Sequence, residues 1–167
     1  MKNDYEIERK FLIKMPDINS LDVNMQASIL QIYLVGGEGS PQRRIRKIAF
    51  PDSVKYTYTE KLFLSDVVRR EMEYEIDEAE FLRLKLQAKP DCEPIIKKRY
   101  KFLYKDQQFE LDVYPFSDEL AILELELENE RQSIDFPDYI NIIKEVTGCS
   151  EYSNASLANA GCFPKNA

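Results

Sequence analysis

The stretch Tyr5-Glu-Ile-Glu-Arg-Lys-Phe-Leu-Ile13 alternates charged and apolar residues, with Glu6, Glu8 and Lys10 at every second position. In an extended chain successive side chains point to opposite faces, so these three charges share one face and Ile7 and Phe11 the other. The same period-two pattern recurs at residues 29–34, 44–50, 55–63, 67–76, 95–104, 109–114 and 121–128. Turn-forming segments separate several of these runs: Gly36-Gly-Glu-Gly-Ser-Pro41, Phe50-Pro-Asp-Ser53 and Lys105-Asp-Gln-Gln108. The reading is about eight strands, a mainly antiparallel α+β chain with few helices.

Three helices are expected. The first covers residues 78–88, with Asp77 as N-cap and Glu80 where a capping box would place it. The second covers residues 137–147, with Ile140, Ile143 and Val146 on one face and Gly148 as its stop. A short third helix covers residues 154–160. No repeat, low-complexity tract or linker interrupts the 167 residues, which read as one domain spanning residues 1–167.

The sign of the charges on each strand is the informative feature. Arg44 and Arg46 share a face, as do Lys97 and Arg99, Glu110 and Asp112, Glu124, Glu126 and Glu128, and Glu71, Glu73 and Glu75. For a single strand the ordinary explanation is a sheet with one solvated face. Like charges within about 7 Å on one face repel, however, which a mixed solvated face avoids. Rows of glutamate make sense if a cation bridges them, and rows of Arg and Lys if a polyanion does. Closing about eight strands into a barrel brings the rows face to face around room for one small ligand.

Composition narrows the chemistry. The chain carries no histidine, which removes histidine bases, histidine-activated nucleophiles and histidine-containing zinc sites. Cys92, Cys149 and Cys162 are scattered, with no metal-ligand spacing, and read as reduced thiols. The net charge of −7 argues against a broad nucleic-acid surface. No apolar run approaches the roughly 20 residues of a membrane span, and the charged N-terminus lacks a secretory leader, so a cytoplasmic protein is expected. An oxygen-only ligand set suits Mg²⁺ or Mn²⁺, with water and phosphate oxygens completing the shell. Arg forks and Lys ammoniums match phosphate.

These residues resemble the CYTH, or triphosphate tunnel metalloenzyme, family, from about residue 4 to residue 160. The N-terminal Glu6-Ile-Glu8-Arg-Lys10 matches its Glu-x-Glu-x-Lys hallmark. Further matches follow in order: Gln31-Ile-Tyr33-Leu34, Arg44-Ile-Arg46, Lys61, Glu73-Tyr-Glu75, Lys97-Lys-Arg99, Glu110-Leu-Asp112, Glu124-Leu-Glu126, Glu145-Val-Thr-Gly148 and Tyr152-Ser-Asn154. The resemblance implies an eight-stranded closed β-barrel with a tunnel through it, helices packed outside, and metal-dependent hydrolysis of a short triphosphate. Inorganic tripolyphosphate, cleaved to pyrophosphate and phosphate, is the expected substrate. Lys10, Arg44, Arg46, Lys61, Lys97 and Arg99 are expected to bind its phosphates. Glu6, Glu8, Asp112, Glu124 and Glu126 are expected to hold Mg²⁺ or Mn²⁺, with Glu6, Glu8 and Lys10 catalytic. Glu73, Glu75, Glu110 and Tyr33 are supporting candidates, whereas Arg69, Arg70, Lys98 and Glu128 read more readily as surface charges.

Similar proteins often carry a basic residue before the C-terminal Tyr-Ser-Asn, where this chain reads Cys149-Ser150-Glu151. Lys98, Arg69 or Arg70 could supply that contact. Alternatives at this stage are adenylate cyclase chemistry of the class IV kind, hydrolysis of thiamine or nucleoside triphosphates, a non-catalytic polyphosphate- or nucleotide-binding module, and an ordinary β-domain.

Overall fold

The computed structural model describes residues 5–165; the charged start of the chain at residues 1–4 lies outside them. Nine strands and two helices follow in the order β1 (Tyr5–Lys14), β2 (Val23–Tyr33), β3 (Gln42–Ala49), β4 (Val54–Phe63), β5 (Val68–Ile76), α1 (Glu78–Lys85), β6 (Ile95–Tyr104), β7 (Gln107–Val113), β8 (Leu120–Leu127), β9 (Ile142–Glu145) and α2 (Asn154–Ala160). Short 3₁₀ turns occupy Ile18–Ser20 and Ser150–Tyr152.

Eight strands close on themselves. The order is β5-β4-β3-β2-β6-β7-β8-β1, and β1 returns to β5 through Tyr5–Arg70, Glu6–Arg69 and Ile7–Val68. Every pairing in this ring is antiparallel. The period-two runs all fall on strands. β2 begins six residues before the expected 29–34 because Asn24, Gln26 and Ser28 are exposed there and alternate with Met25 and Ala27.

The expected helix over residues 137–147 is not formed. Ile142–Glu145 instead makes β9, paired antiparallel to β1 at Phe11–Glu145 and Leu12–Lys144. β5 covers the edge of β1 only as far as the Glu8 N–H, which donates to the Val67 carbonyl at 3.2 Å. Beyond it the edge would be left with unpaired backbone groups. β9 and its flanks supply partners: the Val146 N–H donates to the Lys10 carbonyl at 2.8 Å and the Lys14 N–H to the Asn141 carbonyl at 3.0 Å. This tertiary demand overrides a helical spacing of isoleucines that are themselves β-branched.

α1 starts where expected, with the Asp77 carboxylate accepting from the Glu80 N–H at 2.7 Å. It stops at Lys85, three residues short of the expectation. The Glu80 side chain accepts from Arg83 at 2.7 and 2.5 Å, so only half of a capping box forms. α2 spans the expected residues and ends on Gly161 in the left-handed region.

The ring is polar inside and apolar outside. On the outer face of β1 and β6–β8, Phe11, Ile13, Phe102, Phe109, Leu111, Leu123 and Leu125 form one cluster, covered by Leu21, Phe136 and Ile140. On the outer face of β2–β4, Ile32, Ile45 and Tyr58 pack under Phe81 and Leu84 of α1. A third cluster sits on the inner face, at one end. There Leu12, Tyr33, Ile95, Tyr114 and Ile122 meet Val146, Tyr152, Leu157 and Phe163 from the C-terminal segment. Burial of these groups drives folding, and it leaves the rest of the interior free to carry charge.

Candidate active site

The inner face of the ring lines a cavity of about 1600 Å³. Strand parity decides who points in. From β1 come Glu6, Glu8 and Lys10; from β3, Arg44 and Arg46; from β4, Thr57 and Lys61. β5 contributes Arg69, Glu71 and Glu73, and β6 to β8 contribute Arg99, Lys101, Glu110, Glu124 and Glu126. Tyr33 also lines it.

One group of charges spans the seam where β1 meets β5. Arg69 Nε donates to Glu6 Oε2 at 3.2 Å, and its other arm holds the Glu8 carboxylate. Lys61 Nζ lies 2.5 Å from Glu71 and 3.7 Å from Glu6, and Arg44 lies 3.4 Å from Glu71. Burial, reinforced by the Glu71 carboxylate beside it, pushes Glu6 up to about 7 against the pull of Lys61. Burial would also raise Glu71, but Lys61 and Arg44 hold it down at about 2. Lys61 is lowered to about 8 by burial and by the neighbouring Arg44 and Arg69 cations.

A second group runs from β1 across β8 and β7 to β6. Lys10 Nζ sits 3.1 Å from Glu124, and Arg99 forks across Asp112 at 2.7 and 2.8 Å while reaching Glu124 at 2.9 Å. Arg99 also holds Glu110, which accepts from Lys101 at 2.7 Å. Burial alone would raise Glu124; Lys10 and Arg99 outweigh it and keep the carboxylate well below its usual range.

Between the groups lies Arg46. Its Nε donates to Gln31 Oε1 at 2.8 Å, and NH1 reaches Glu73 at 3.4 Å. Burial, with Arg44 and Arg99 nearby, pushes its guanidinium down to about 10. It remains charged at neutral pH, in a setting that an anion would relieve.

The structure thus gathers twelve of the fifteen residues singled out in the sequence around one cavity: Glu6, Glu8, Lys10, Tyr33, Arg44, Arg46, Lys61, Glu73, Arg99, Glu110, Glu124 and Glu126. Three lie elsewhere. Lys97 and Asp112 form a wholly buried pair at 2.5 Å behind Arg99. Glu75 is exposed and pairs with Lys55 at 3.3 Å. Burial lowers Lys97 to about 8 despite Asp112 beside it. Arg69, set aside above as a surface charge, lies inside, its side chain 12% exposed. Glu71 and Lys101 also join the lining. Glu71 already stood in the row with Glu73 and Glu75; extending that row back by two more positions, and that of Lys97 and Arg99 forward by two, finds Arg69 and Lys101.

Directly opposed carboxylates mark where a cation could sit. Glu8 faces Glu126 across β1 and β8, and Glu110 faces Glu124 across β7 and β8. Among the described residues no three acidic or cysteine side chains converge on one point. The donors are carboxylate oxygens only, and Mg²⁺ commonly takes one or two such protein ligands and completes its shell with water and phosphate. The residues present therefore fit a hard divalent cation bound together with a phosphate ligand, rather than a closed protein cage.

No protein-family model and no curated protein matches this chain. Among solved structures it is similar to the inorganic triphosphatase NE1496, at 30% identity over 92% of this chain and 94% of that one, with a TM-score of 0.58. It is also similar to PH1819 from Pyrococcus horikoshii OT3, at 19% identity over 75% and 80% of the two chains, with a TM-score of 0.53. A third similarity is to HpAC1 from Hippeastrum, a putative adenylyl cyclase described as having a dominant triphosphatase activity. That match has 15% identity, covers 74% and 80% of the two chains, and has a TM-score of 0.51. At such identities the last two show a shared fold alone.

Proposed function

The chain belongs to the CYTH, or triphosphate tunnel metalloenzyme, family, and on that premise we propose that it is a metal-dependent triphosphatase acting on inorganic tripolyphosphate. One observation carries this reading: a cavity of about 1600 Å³ inside a closed ring, walled by lysines and arginines interleaved with carboxylates. A pure anion binder would do better without the acids. The 30% identity to an inorganic triphosphatase over nearly the whole chain supports the choice of substrate.

In this reading Arg44, Arg46, Lys61, Arg99 and Lys10 grip the phosphate oxygens by charge-assisted hydrogen bonds. Glu6, Glu8, Glu124 and Glu126 are the carboxylates that would hold Mg²⁺ or Mn²⁺. When bound, the cation neutralises phosphate charge and so eases attack on phosphorus. The interior side chains line the substrate up for in-line displacement. Water attacks the terminal phosphorus, the bond to the bridging oxygen breaks, and pyrophosphate leaves with the electron pair. Positioned cations stabilise charge that develops on the leaving group without reorganising, which is where most of the rate enhancement arises. The attacking water gives up its proton to an interior carboxylate that the cation leaves unligated, or to solvent. Lys97 and Asp112, buried behind the wall, fix Arg99 rather than touch substrate.

The test is the double substitution Glu6→Gln, Glu8→Gln. Phosphate release from tripolyphosphate is expected to fall by about a hundredfold or more, with the remaining activity indifferent to metal. Activity that stays intact and metal-dependent would remove these two residues from the assignment.

A further inference from the structure

Lys10, Lys61 and Arg99 lie within 3.1 Å of a carboxylate, on Glu124, Glu71 and Asp112, in a geometry that cancels much of their charge, whereas Arg44 and Arg46 reach theirs only at 3.4 Å. Arg46 is held differently. Its close, well-directed bond is to a neutral group, the Gln31 amide oxygen at 2.8 Å. The carboxylate it reaches, Glu73 at 3.4 Å, already accepts the Thr59 hydroxyl at 2.8 Å and is 38% exposed. We propose that Gln31 is a positioning residue that orients Arg46 without neutralising it, making Arg46 the anchor for the anionic substrate. This rests on the triphosphate reading above.

Register and chemistry support the assignment. Gln31, Arg46 and Thr57 are direct cross-strand neighbours on β2, β3 and β4, on one face. The row is therefore neutral, cationic, neutral. The next residue along it, Glu75 on β5, is turned to solvent and taken by Lys55. An Arg Nε is a donor only, so the Gln31 atom it meets is the amide oxygen. Gln31 is completely buried, and among the described residues its own amide nitrogen has no hydrogen-bond partner. The Thr57 hydroxyl, also buried, has none among them either. A buried amide left half unpaired is unfavourable for folding. A residue serving stability alone would be served as well by glutamate, of nearly the same shape, which would pair fully with Arg46. The amide gives up that pairing and keeps the positive charge available. Engaging Nε turns the two terminal nitrogens toward phosphate, one of them held only by the long 3.4 Å contact to Glu73.

The experiment is a double-mutant cycle on the full-length protein, combining Gln31→Glu with Arg46→Gln. KM and kcat for Mg²⁺–tripolyphosphate hydrolysis are read at several NaCl concentrations, and thermal unfolding is followed alongside. Gln31→Glu is expected to raise KM about tenfold or more by cancelling the Arg46 charge, to leave kcat within about threefold, and to flatten the salt dependence of KM. In the Arg46→Gln background the same substitution is expected to add nothing. If Gln31→Glu does not fold, Gln31→Met supplies the cycle: it removes the tether and is expected to raise KM about threefold, again only where Arg46 is present. An unchanged KM, a loss confined to kcat, or an undiminished effect in the Arg46→Gln background would overturn the proposal. Absence of tripolyphosphate hydrolysis by the unsubstituted protein would instead overturn the functional reading, and the proposal with it.

Discussion

At Lys61, burial and the neighbouring Arg44 and Arg69 cations outweigh Glu71 and bring the ammonium from 10.5 down to about 8. In the free protein the folded state loses this proton near pH 8 while the unfolded chain keeps it to about 10.5. Raising pH across that window therefore adds to the stability of the free fold. Anion binding needs the charged form, so the sign reverses for the ligand. Tripolyphosphate affinity is expected to weaken as pH rises through about 8, with proton uptake on binding there, measurable by calorimetry in buffers of different ionisation enthalpy. Lys61→Arg, which does not titrate in this range, is expected to remove that weakening. Asp112 makes a different case. Completely buried, it pairs with both Lys97 and Arg99, so Asp112→Ala leaves the buried Lys97 without its carboxylate, while Arg99 keeps Glu110 and Glu124. A loss of about 3–5 kcal/mol is expected in urea denaturation. In the sequence Asp112 reads like the other inward carboxylates, because parity tells which face a side chain takes but not how deep it sits.

β9 and the turn after it show where local pattern and tertiary context part company. Isoleucines at helical spacing were overruled by the edge of β1, a long-range partner invisible in residues 137–147 themselves. Gly148, expected as a helix stop, instead sits in the turn that follows β9, at a φ of +72°. A Cβ there would fall 2.8 Å from the Asp66 side chain in the loop between β4 and β5. Gly148→Ala is expected to destabilise the fold by at least about 1–2 kcal/mol, checked by the urea midpoint at unchanged slope. The helix whose cues were local came out closer to expectation. Removing the Asp77 cap in Asp77→Ala is expected to cost about 1 kcal/mol, visible in the same measurement. The eight strands of the ring were legible because their alternation is strict and both faces carry a signal, charge inward and apolar residues outward. Only the polar first half of β2 escaped, its outward residues being Asn24, Gln26 and Ser28.

Seen whole, the molecule reverses the usual arrangement of a small barrel, in which side chains fill an apolar centre. Its apolar packing lies outside the ring under α1 and the segments around Leu21 and Ile140, and at the end capped by the C-terminal segment. The interior can then hold a dense set of opposed charges, lysines and arginines among them, in a chain whose net charge is −7. Ring closure is what turns separate acidic and basic strands into one site. Among the described residues closure rests on three residue pairs between β1 and β5, reinforced by Arg69 reaching Glu6 and Glu8. The sequence conveyed the inward rows but not which strands would be neighbours, which is why Arg69, at the seam, was read as surface. The central claim is that this interior turns over a short triphosphate with a divalent cation. It is tested most directly by measuring phosphate release from the purified protein offered tripolyphosphate, ATP or thiamine triphosphate, each with Mg²⁺, Mn²⁺ or EDTA. The account predicts release from tripolyphosphate above the other two, abolished by EDTA. Release that is unaffected by EDTA, or no release from any of the three, would contradict it.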